Sequence, residues 1–416
     1  MKSKYSVILL LLIIAVTSLF SACGKDRWEE YYPVTRHSLW IDSVMRVNYL
    51  WNDELADEDD LTSSYFLNSV AFLSKVKYSA DQVSYVDTAY SAPITDYGYE
   101  LMSTQINDSA YMALITYIEP TSVSANAGLQ RGEWIMKIDG EYITSARWSL
   151  LSDGDAHELM IGHYIAINLN EGDADEEEEQ GAVIYDRMVN LPSAKGYYHN
   201  DLPVISVIND HVGYMLYTNI AEKNQLQIAT ASQTLSAGGI TDMILDLRYA
   251  ATGDVKGFQY LASIMAPSSA LGGRLATVVF AESRHMDTSL PFLTASELEN
   301  GVNLNLNTLY VLTSSSTIGP AEMLINCLKT VMNVVVVGEK TAGIGIACEP
   351  FYDPVSDQLL HLAACHVSDA NDNADYVDTG ITPDYIVDQY SPFEGILPFG
   401  NPQENLLAKA LELIKN

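Results

Sequence analysis

The chain has 416 residues, of which 48% are apolar and 18% charged, a composition typical of a globular protein that can bury more than one hydrophobic core. Its 54 acidic residues against 22 basic ones give a formal net charge of -32, which argues against nucleic acid or an anionic lipid surface as a partner. Beyond the first residues, no segment of the sequence reaches the length of a membrane span.

The N-terminus has the layout of an exported protein. A basic start is followed by an apolar run over residues 7–16 and by small residues directly before Cys23. This layout resembles a bacterial lipoprotein signal, which implies that residues 1–22 are removed and that the Cys23 thiol carries a lipid. The resemblance predicts an outer-membrane lipoprotein, on the periplasmic face or the cell surface, that is held in the membrane through this lipid. The alternative is an ordinary signal peptide with a chance cysteine.

Residues 23–90 are predicted to form a small helical N-terminal domain. Apolar and aromatic residues recur near helical spacing over residues 37–55 and again over residues 63–76. The aromatic stripe of the first pattern, which includes Trp40 and Trp51, is more typical of a buried core face than of a ligand platform.

Residues 91–195 are predicted to form a β-rich module. The sequence predicts strands at 114–118 and 134–138, with a short helix between them that ends at Gly128, and Asp139-Gly140 is a strong hairpin signal. The run from the short helix to the hairpin resembles the PDZ domain, which binds a C-terminal peptide as an added strand and grips its carboxylate with backbone N–H groups. The resemblance makes the loop Tyr97-Gly98-Tyr99-Glu100 the candidate carboxylate site. The acidic run at 173–179 is interpreted as a solvated loop rather than a metal site.

Strands and helices alternate from residue 204 to residue 391. Buried-type strands are predicted at 212–217, 241–247, 308–312 and 334–337, and helices at 227–235, 255–265 and 321–331. This alternation predicts an α/β layer with a largely parallel sheet. The last segment, residues 392–416, is predicted to form a helix that packs back on this domain.

Three cysteines follow Cys23, namely Cys327, Cys348 and Cys365. An odd number cannot all pair within one molecule. Cys348 and Cys365 lie in neighbouring β-like runs, so either these two meet or all three are buried thiols that pack as small hydrophobic side chains.

Five short motifs occur in an order that points to one protein family. They are Val212-Gly213-Tyr214, Ile244-Leu245-Asp246-Leu247-Arg248, Leu309-Tyr310-Val311-Leu312 with Thr317 and Glu322, Val337-Gly338-Glu339-Lys340-Thr341, and Gly380-Ile381-Thr382-Pro383-Asp384. With the PDZ-like run before them, they resemble the C-terminal processing peptidases, also called tail-specific proteases. The helical N-terminus with Tyr49-Leu50-Trp51 resembles the lipoprotein branch of Bacteroides-like bacteria. The resemblance implies an α/β domain of the crotonase-like type.

The resemblance also implies a serine nucleophile with a lysine base, and this chain lacks both. A serine hydroxyl attacks only when a base removes its proton, and a lysine can do so only when burial lowers its pKa. Alignment of the motifs puts the serine position at Gly319 and the lysine position at Ile344. The position of a glutamine that orients the lysine is Cys348. The glycine-rich turn that helps to form the oxyanion hole is reduced to Gly253.

Two other groups of the chain are candidates for a substitute nucleophile. The hydroxyl residues 314–317 precede the turn, and a misplacement of about 1 Å can already cost on the order of a hundredfold in rate. Cys348 with His361 or His366 as base is the other candidate, but no oxyanion donors are evident beside it.

The sequence therefore predicts an α+β multidomain lipoprotein with a helical N-terminal domain, a PDZ-like module and a crotonase-like α/β domain. The leading interpretation of its function is a non-catalytic pseudopeptidase that binds a peptide or protein C-terminus, without cofactor or metal. The alternatives are an active serine-type or Cys348-dependent peptidase that processes protein C-termini, and a structural subunit of a surface lipoprotein complex.

Overall fold

The computed structural model describes residues 28–88, 90, 92–166, 181–281, 284 and 289–415. The chain divides into two compact units. The N-terminal unit comprises Met1–Tyr90 with Phe351–Leu362, and the C-terminal unit comprises Ser91–Pro350 with Ala363–Asn416. Within the described residues, no helix is both long enough and apolar enough to cross a membrane.

The N-terminal unit is built on helices α1 (Trp28–Asn48) and α2 (Ser69–Val76). The first predicted helix is present but begins earlier than predicted. The prediction that it continues to residue 55 is wrong, because the chain turns after Asn48 and Tyr49 packs into the core. α2 begins later than predicted, because the Asn68 side chain accepts the Ala71 N–H at 2.9 Å and caps the helix there. Strand β1 (Tyr85–Asp87) pairs with residues 359–361.

The first part of the C-terminal unit is rich in β-structure. Its strands are β2 (Ile94–Asp96), β3 (Tyr99–Asn107), β4 (Ala110–Ile118), β5 (Trp134–Ile138), β6 (Glu141–Tyr142), β7 (His157–Ala166), β8 (Gly181–Leu191) and β9 (Lys195–Tyr197), and helix α3 (Val123–Asn126) lies between β4 and β5. One antiparallel sheet has the order β3-β4-β5-β7-β8, with β6 beside β5, and β2 pairs with β9. Asp139 and Gly140 have φ values of 51° and 80°, which confirms the predicted hairpin turn.

A second sheet follows with the order β10-β11-β13-β17-β18-β21. Its strands are β10 (Val204–Ile208), β11 (Val212–Leu216), β13 (Asp242–Asp246), β17 (Thr308–Thr313), β18 (Asn333–Gly338) and β21 (Tyr385–Ile386). All neighbours from β11 to β21 are parallel, and only β10 runs antiparallel, so the predicted largely parallel sheet is confirmed. The short strands β12 (Asn219–Ile220) and β14 (Thr252–Gly253) pair beside it.

Helices cover both faces of this sheet. They are α4 (Gln225–Ala237), α5 (Val255–Met265), α6 (Pro320–Leu328) and α7 (Asn405–Lys415). Alternate residues of β13 point to opposite faces, so Met243 and Leu245 pack in the core with α4, α5 and α6, whereas Ile244 packs with α7. The prediction that the last helix packs back on this domain is confirmed.

A third group of strands lies mainly in the C-terminal unit. β15 (Arg274–Phe280) pairs with β16 (Ser289–Pro291) and with residues 365–369 of β20 (Gln358–Asp369), and β19 (Ile346–Asp353) also pairs with β20. Cys327 and Cys365 are fully buried, and burial raises the pKa of both thiols. None of the three cysteines that the structure describes is in a disulfide.

Candidate functional site

The turn between β17 and α6 ends at a glycine in an unusual conformation. Gly319 has φ 57° and ψ -114°, a combination that residues with a side chain rarely adopt. A Cβ atom added there would meet the Ile346 carbonyl oxygen at 3.3 Å. Pro320 then begins the helix at the position where its missing N–H costs nothing. Strained strand-to-helix turns of this kind hold the nucleophile of many hydrolases, but the residue here has no side chain.

The buried hydroxyls before this glycine hold the turn in place. Ser314 Oγ donates to the Arg248 carbonyl oxygen at 2.6 Å, and Thr317 Oγ1 donates to the Leu247 carbonyl oxygen at 2.9 Å. Both side chains are buried, so their hydroxyls join the turn to the segment that follows β13. Ser315 and Ser316 are exposed.

One buried carboxylate brings Gly319 and Ile344 together. Glu322 Oε2 accepts the Gly319 N–H at 3.1 Å and the Ile344 N–H at 2.8 Å. Its Oε1 accepts the Gly343 N–H at 2.6 Å and the Thr341 hydroxyl. Because the Gly319 and Ile344 amides share one oxygen, their nitrogens lie within about 6 Å of each other. The aligned positions of the serine and the lysine are therefore neighbours in space, although 25 residues separate them in the sequence.

In the turn after β13, which contacts the segment before Gly319, two backbone N–H groups are already hydrogen-bonded within the turn. The Ala250 N–H donates to Leu247 and the Ala251 N–H donates to Tyr249, at 3.1 and 3.0 Å, and the Ala250 carbonyl accepts the Ile318 N–H at 3.0 Å. The Ala250 carbonyl, an acceptor, therefore contacts the segment next to Gly319, and it cannot stabilise an oxyanion.

Gly253, the remaining glycine of the aligned oxyanion turn, lies in β14 beside helix α6. It has φ 155°, and a Cβ there would lie 2.3 Å from the Ile220 carbonyl oxygen. Close packing against β12 therefore accounts for a glycine at this position.

The predicted carboxylate loop lies at the start of β3. Tyr97 is buried, and its hydroxyl donates to Asp153 Oδ1 at 2.8 Å, while the Tyr99 hydroxyl donates to the Leu151 carbonyl at 2.8 Å. Both side chains therefore belong to the core of the sheet. Gly98 has φ 72°, and a Cβ there would lie 2.1 Å from Ser122 Cβ, so position 98 tolerates only glycine.

His157 lies between two carboxylates, and one of them, Asp153, also accepts the Tyr97 hydroxyl of this loop. His157 Nδ1 lies 2.8 Å from Asp139 Oδ2, and Nε2 lies 3.0 Å from Asp153 Oδ1. Burial alone would lower the pKa of His157, but the hydrogen bonds to Asp153 and Asp139 outweigh it and raise the pKa above its ordinary value. A backbone hydrogen bond from Asp155, with help from His157, lowers the pKa of Asp153 to about 2.

Sequence reasoning missed a buried ionic network that crosses the C-terminal unit. Arg248 donates to Asp246 Oδ2 at 2.6 Å and to Glu404 Oε1 at 2.7 Å, and all three side chains are buried. Arg131 of the β-rich part lies 3.4 Å from the same Glu404 oxygen and donates to the Leu397 carbonyl at 2.5 Å. The Leu407 N–H donates to Glu404 at 3.0 Å, so a helix-capping pattern before α7 was the available sequence signal for this residue.

The alternative nucleophile Cys348 lies on β19 and is half-buried. His366 is exposed on β20, the strand that pairs with β19. His361 stacks on Tyr85 within the N-terminal unit, with ring centroids 4.3 Å apart. The two β-like runs that carry Cys348 and His366 are thus paired strands, and the catalytic role of Cys348 stays a hypothesis.

Cys23 and the acidic run at 173–179 lie outside the described residues. In the part of the chain that the structure describes, no group of three or more His, Cys, Asp or Glu side chains is arranged to hold a metal ion.

Comparison with family models gives two matches. The model of peptidase family S41 matches residues 211–387, and the model of the peptidase S41 N-terminal domain matches residues 37–85. The first match contains the Gly319 turn, Glu322 and Ile344. A search of curated proteins gave no match.

Solved structures also resemble this chain. A Bacteroides fragilis protein assigned to the S41 proteases is 35% identical, with a TM-score of 0.79, and the likeness covers 90% of this chain and 97% of that one. The photosystem II D1 C-terminal processing protease shows a weaker likeness, with 15% identity and a TM-score of 0.43 over 85% of this chain and 93% of that one.

Proposed function

The chain belongs to peptidase family S41, as its sequence motifs predicted, and we propose that it is a non-catalytic member of that family which binds peptide or protein segments. One observation carries the proposal. The aligned nucleophile and base positions are Gly319 and Ile344, whose amides share one oxygen of Glu322. Neither residue can take part in proton transfer, because glycine has no hydroxyl and isoleucine has no amine.

The surrounding groups give further support. The buried hydroxyls of Ser314 and Thr317 donate to backbone carbonyls. The amides of Ala250 and Ala251 are engaged within their own turn, so they are not available as oxyanion donors. Loss of a single oxyanion donor typically costs on the order of a hundred- to a thousandfold in rate. The nucleophile, the base and the oxyanion donors of the catalytic apparatus are thus missing together.

The binding half of the proposal concerns residues 91–195, which we interpret as a PDZ-like module. Strand β3 is an edge strand, and among the described residues its partner is β4. Most of its second half is exposed. An exposed edge offers backbone N–H and C=O groups to which an extended peptide adds as a further strand.

Two further interpretations belong to this proposal. The α/β domain is interpreted as crotonase-like, and Cys23 is interpreted as the lipid-bearing residue of an outer-membrane protein.

Hydrolysis and reactivity test the catalytic half of the proposal. The purified wild-type protein should leave casein, an unstructured substrate, intact and should not react with a fluorophosphonate probe that labels active serine hydrolases. Turnover that persists through repurification and in a Cys348→Ala variant would show that another nucleophile exists.

A double variant tests the alignment itself. In a crystal structure of Gly319→Ser with Ile344→Lys, the serine Oγ and the lysine Nζ should approach to about 3.5 Å or less. Hydrolysis should remain undetectable, because the amides at 250 and 251 stay bonded within their turn. Side chains that point to different sides of the turn would show that the alignment, and with it the lost nucleophile and base, is wrong.

A further inference from the structure

The loop that a peptide carboxylate would occupy already holds a carboxylate of this chain. Asp96 Oδ1 accepts the Gly98 N–H at 2.6 Å and the Tyr197 hydroxyl at 2.8 Å. A ligand carboxylate at Gly98 would therefore meet a bonded amide and a like charge beside it. Both effects oppose the binding of an anion.

Beside this loop, two strands place acidic and aromatic side chains together. Glu100 of β3 lies opposite Tyr117 of β4, and Glu119 follows directly after β4. Tyr117 is only 5% exposed, and its buried hydroxyl has no hydrogen-bond partner. Burial, followed by the charges of Glu119 and Glu100, raises the Tyr117 pKa, so the hydroxyl stays neutral. A buried hydroxyl without a partner is costly unless a ligand satisfies it.

The charges around Tyr117 favour a cation. Glu100 is exposed to solvent. Partial desolvation by the surrounding protein raises the Glu100 pKa, and the nearby His199 acts in the opposite direction. The His199 side chain is 44% exposed and lies 2.8 Å from Glu119 Oε2, and the hydrogen bond to Glu119 raises the His199 pKa. When His199 is protonated it offsets the Glu119 carboxylate, which leaves Glu100 and Asp96 as an acidic excess. The chain as a whole, at -32, adds a negative field that attracts basic segments.

This group connects the sheet edge to the Gly319 turn. The rings of Tyr117 and Tyr249 lie 5.3 Å apart, and the residue after Tyr249, Ala250, accepts the Ile318 N–H. A peptide on β3 would thus lead towards the turn, and its cationic side chain would face two tyrosine rings. Aromatic faces and carboxylates together are a common environment for lysine and arginine.

We propose that the edge of β3 binds an extended basic segment of a protein, with a lysine or arginine side chain held by Glu100 and the Tyr117 hydroxyl, and that it does not require a free C-terminal carboxylate. The inference rests on the proposed peptide-binding function and names its ligand class. It departs from the C-terminal ligand that the sequence resemblance implied.

The test uses fluorescein-labelled twelve-residue peptides in which threonine alternates with lysine, glutamate or valine, each with a free and an amidated C-terminus. Anisotropy should show binding of the lysine peptide alone, and amidation should change its Kd by less than about twofold. Raising the salt from about 50 to about 500 mM should weaken the binding, because Glu100 is exposed to solvent and its charge is screened by salt.

Single substitutions locate the site. Glu100→Gln and Tyr117→Phe should each weaken binding of the lysine peptide about fivefold, which corresponds to the loss of one hydrogen bond. The matched control Glu141→Gln removes the same charge from the exposed β6 hairpin of the same sheet and should leave the Kd unchanged. Circular dichroism of each variant checks that the fold is retained.

Three outcomes would overturn the inference. Equal weakening by Glu141→Gln would show that only net charge attracts the peptide. Binding of the valine peptide that disappears on amidation would show a C-terminal ligand, and the proposed peptide-binding function would stand without this inference. Absence of binding for all six peptides would contradict the proposed function as well.

Discussion

Replacing Glu322 by glutamine should destabilise the C-terminal unit by about 3 kcal/mol. Each carboxylate oxygen accepts two hydrogen bonds, from Thr341 and Gly343 at Oε1 and from Gly319 and Ile344 at Oε2. Glutamine has one carbonyl oxygen and one NH2 group, so two donors lose their acceptor whichever way the amide is oriented.

The magnitude follows from which donors are lost. Each buried donor that loses its acceptor costs about 1–3 kcal/mol. The less costly orientation turns the NH2 group towards Thr341, because the Thr341 hydroxyl can rotate and also accept, and it leaves the Gly343 N–H unsatisfied. The two bonds that remain are weaker because the acceptor is no longer charged. A total of about 3 kcal/mol is a large part of the roughly 5–15 kcal/mol that stabilise a typical domain.

Urea unfolding and hydrogen exchange measure this effect. The Glu322→Gln variant should unfold at lower urea concentration, and the amides of Gly319, Gly343 and Ile344 should exchange faster. The matched control Glu412→Gln breaks an exposed pair with Lys409 and should cost less than about 0.5 kcal/mol. A cost below about 1 kcal/mol with unchanged exchange at the three amides would refute the assigned role of the carboxylate.

Three further predictions concern other parts of the chain. Gly319→Ala should cost about 1–3 kcal/mol in urea unfolding, and more than Gly140→Ala, because only the first Cβ meets a neighbouring carbonyl; equal costs would contradict this. Cys23→Ala should move the protein from the membrane fraction to the soluble fraction or leave it unprocessed, and a wild-type chain found soluble with another N-terminus would contradict lipidation. His157 stabilises the fold most below its ordinary pKa, because its folded-state pKa is raised, and this contribution is lost as the pH rises through the folded value. The difference in unfolding free energy between wild type and His157→Gln should therefore shrink from about pH 6 to about pH 9, and an increase would show that the sign is wrong.

Local sequence signals predicted most elements of the fold. The helix predicted at 255–265 and the strand predicted at 134–138 have those bounds in the structure, because apolar periodicity and flanking turn residues act over a few positions. The hairpin at Asp139-Gly140 follows from the positive φ that both positions adopt. The first helix was misplaced because its aromatic stripe continues into a turn, where Tyr49 packs against the core without helical geometry.

The family and the absence of a serine at 319 and of a lysine at 344 were also readable from the sequence, because they depend on residue identity at aligned positions. What only the tertiary structure decided is how these positions meet. Glu322 joins the 319 and 344 amides, Arg248 reaches Glu404 across 156 residues, and Asp96 accepts the Tyr197 hydroxyl across 101 residues. Such hydrogen bonds depend on where the packed sheet and helices bring polar groups together, and a pair distant in the chain leaves no periodic pattern from which its contact could be predicted.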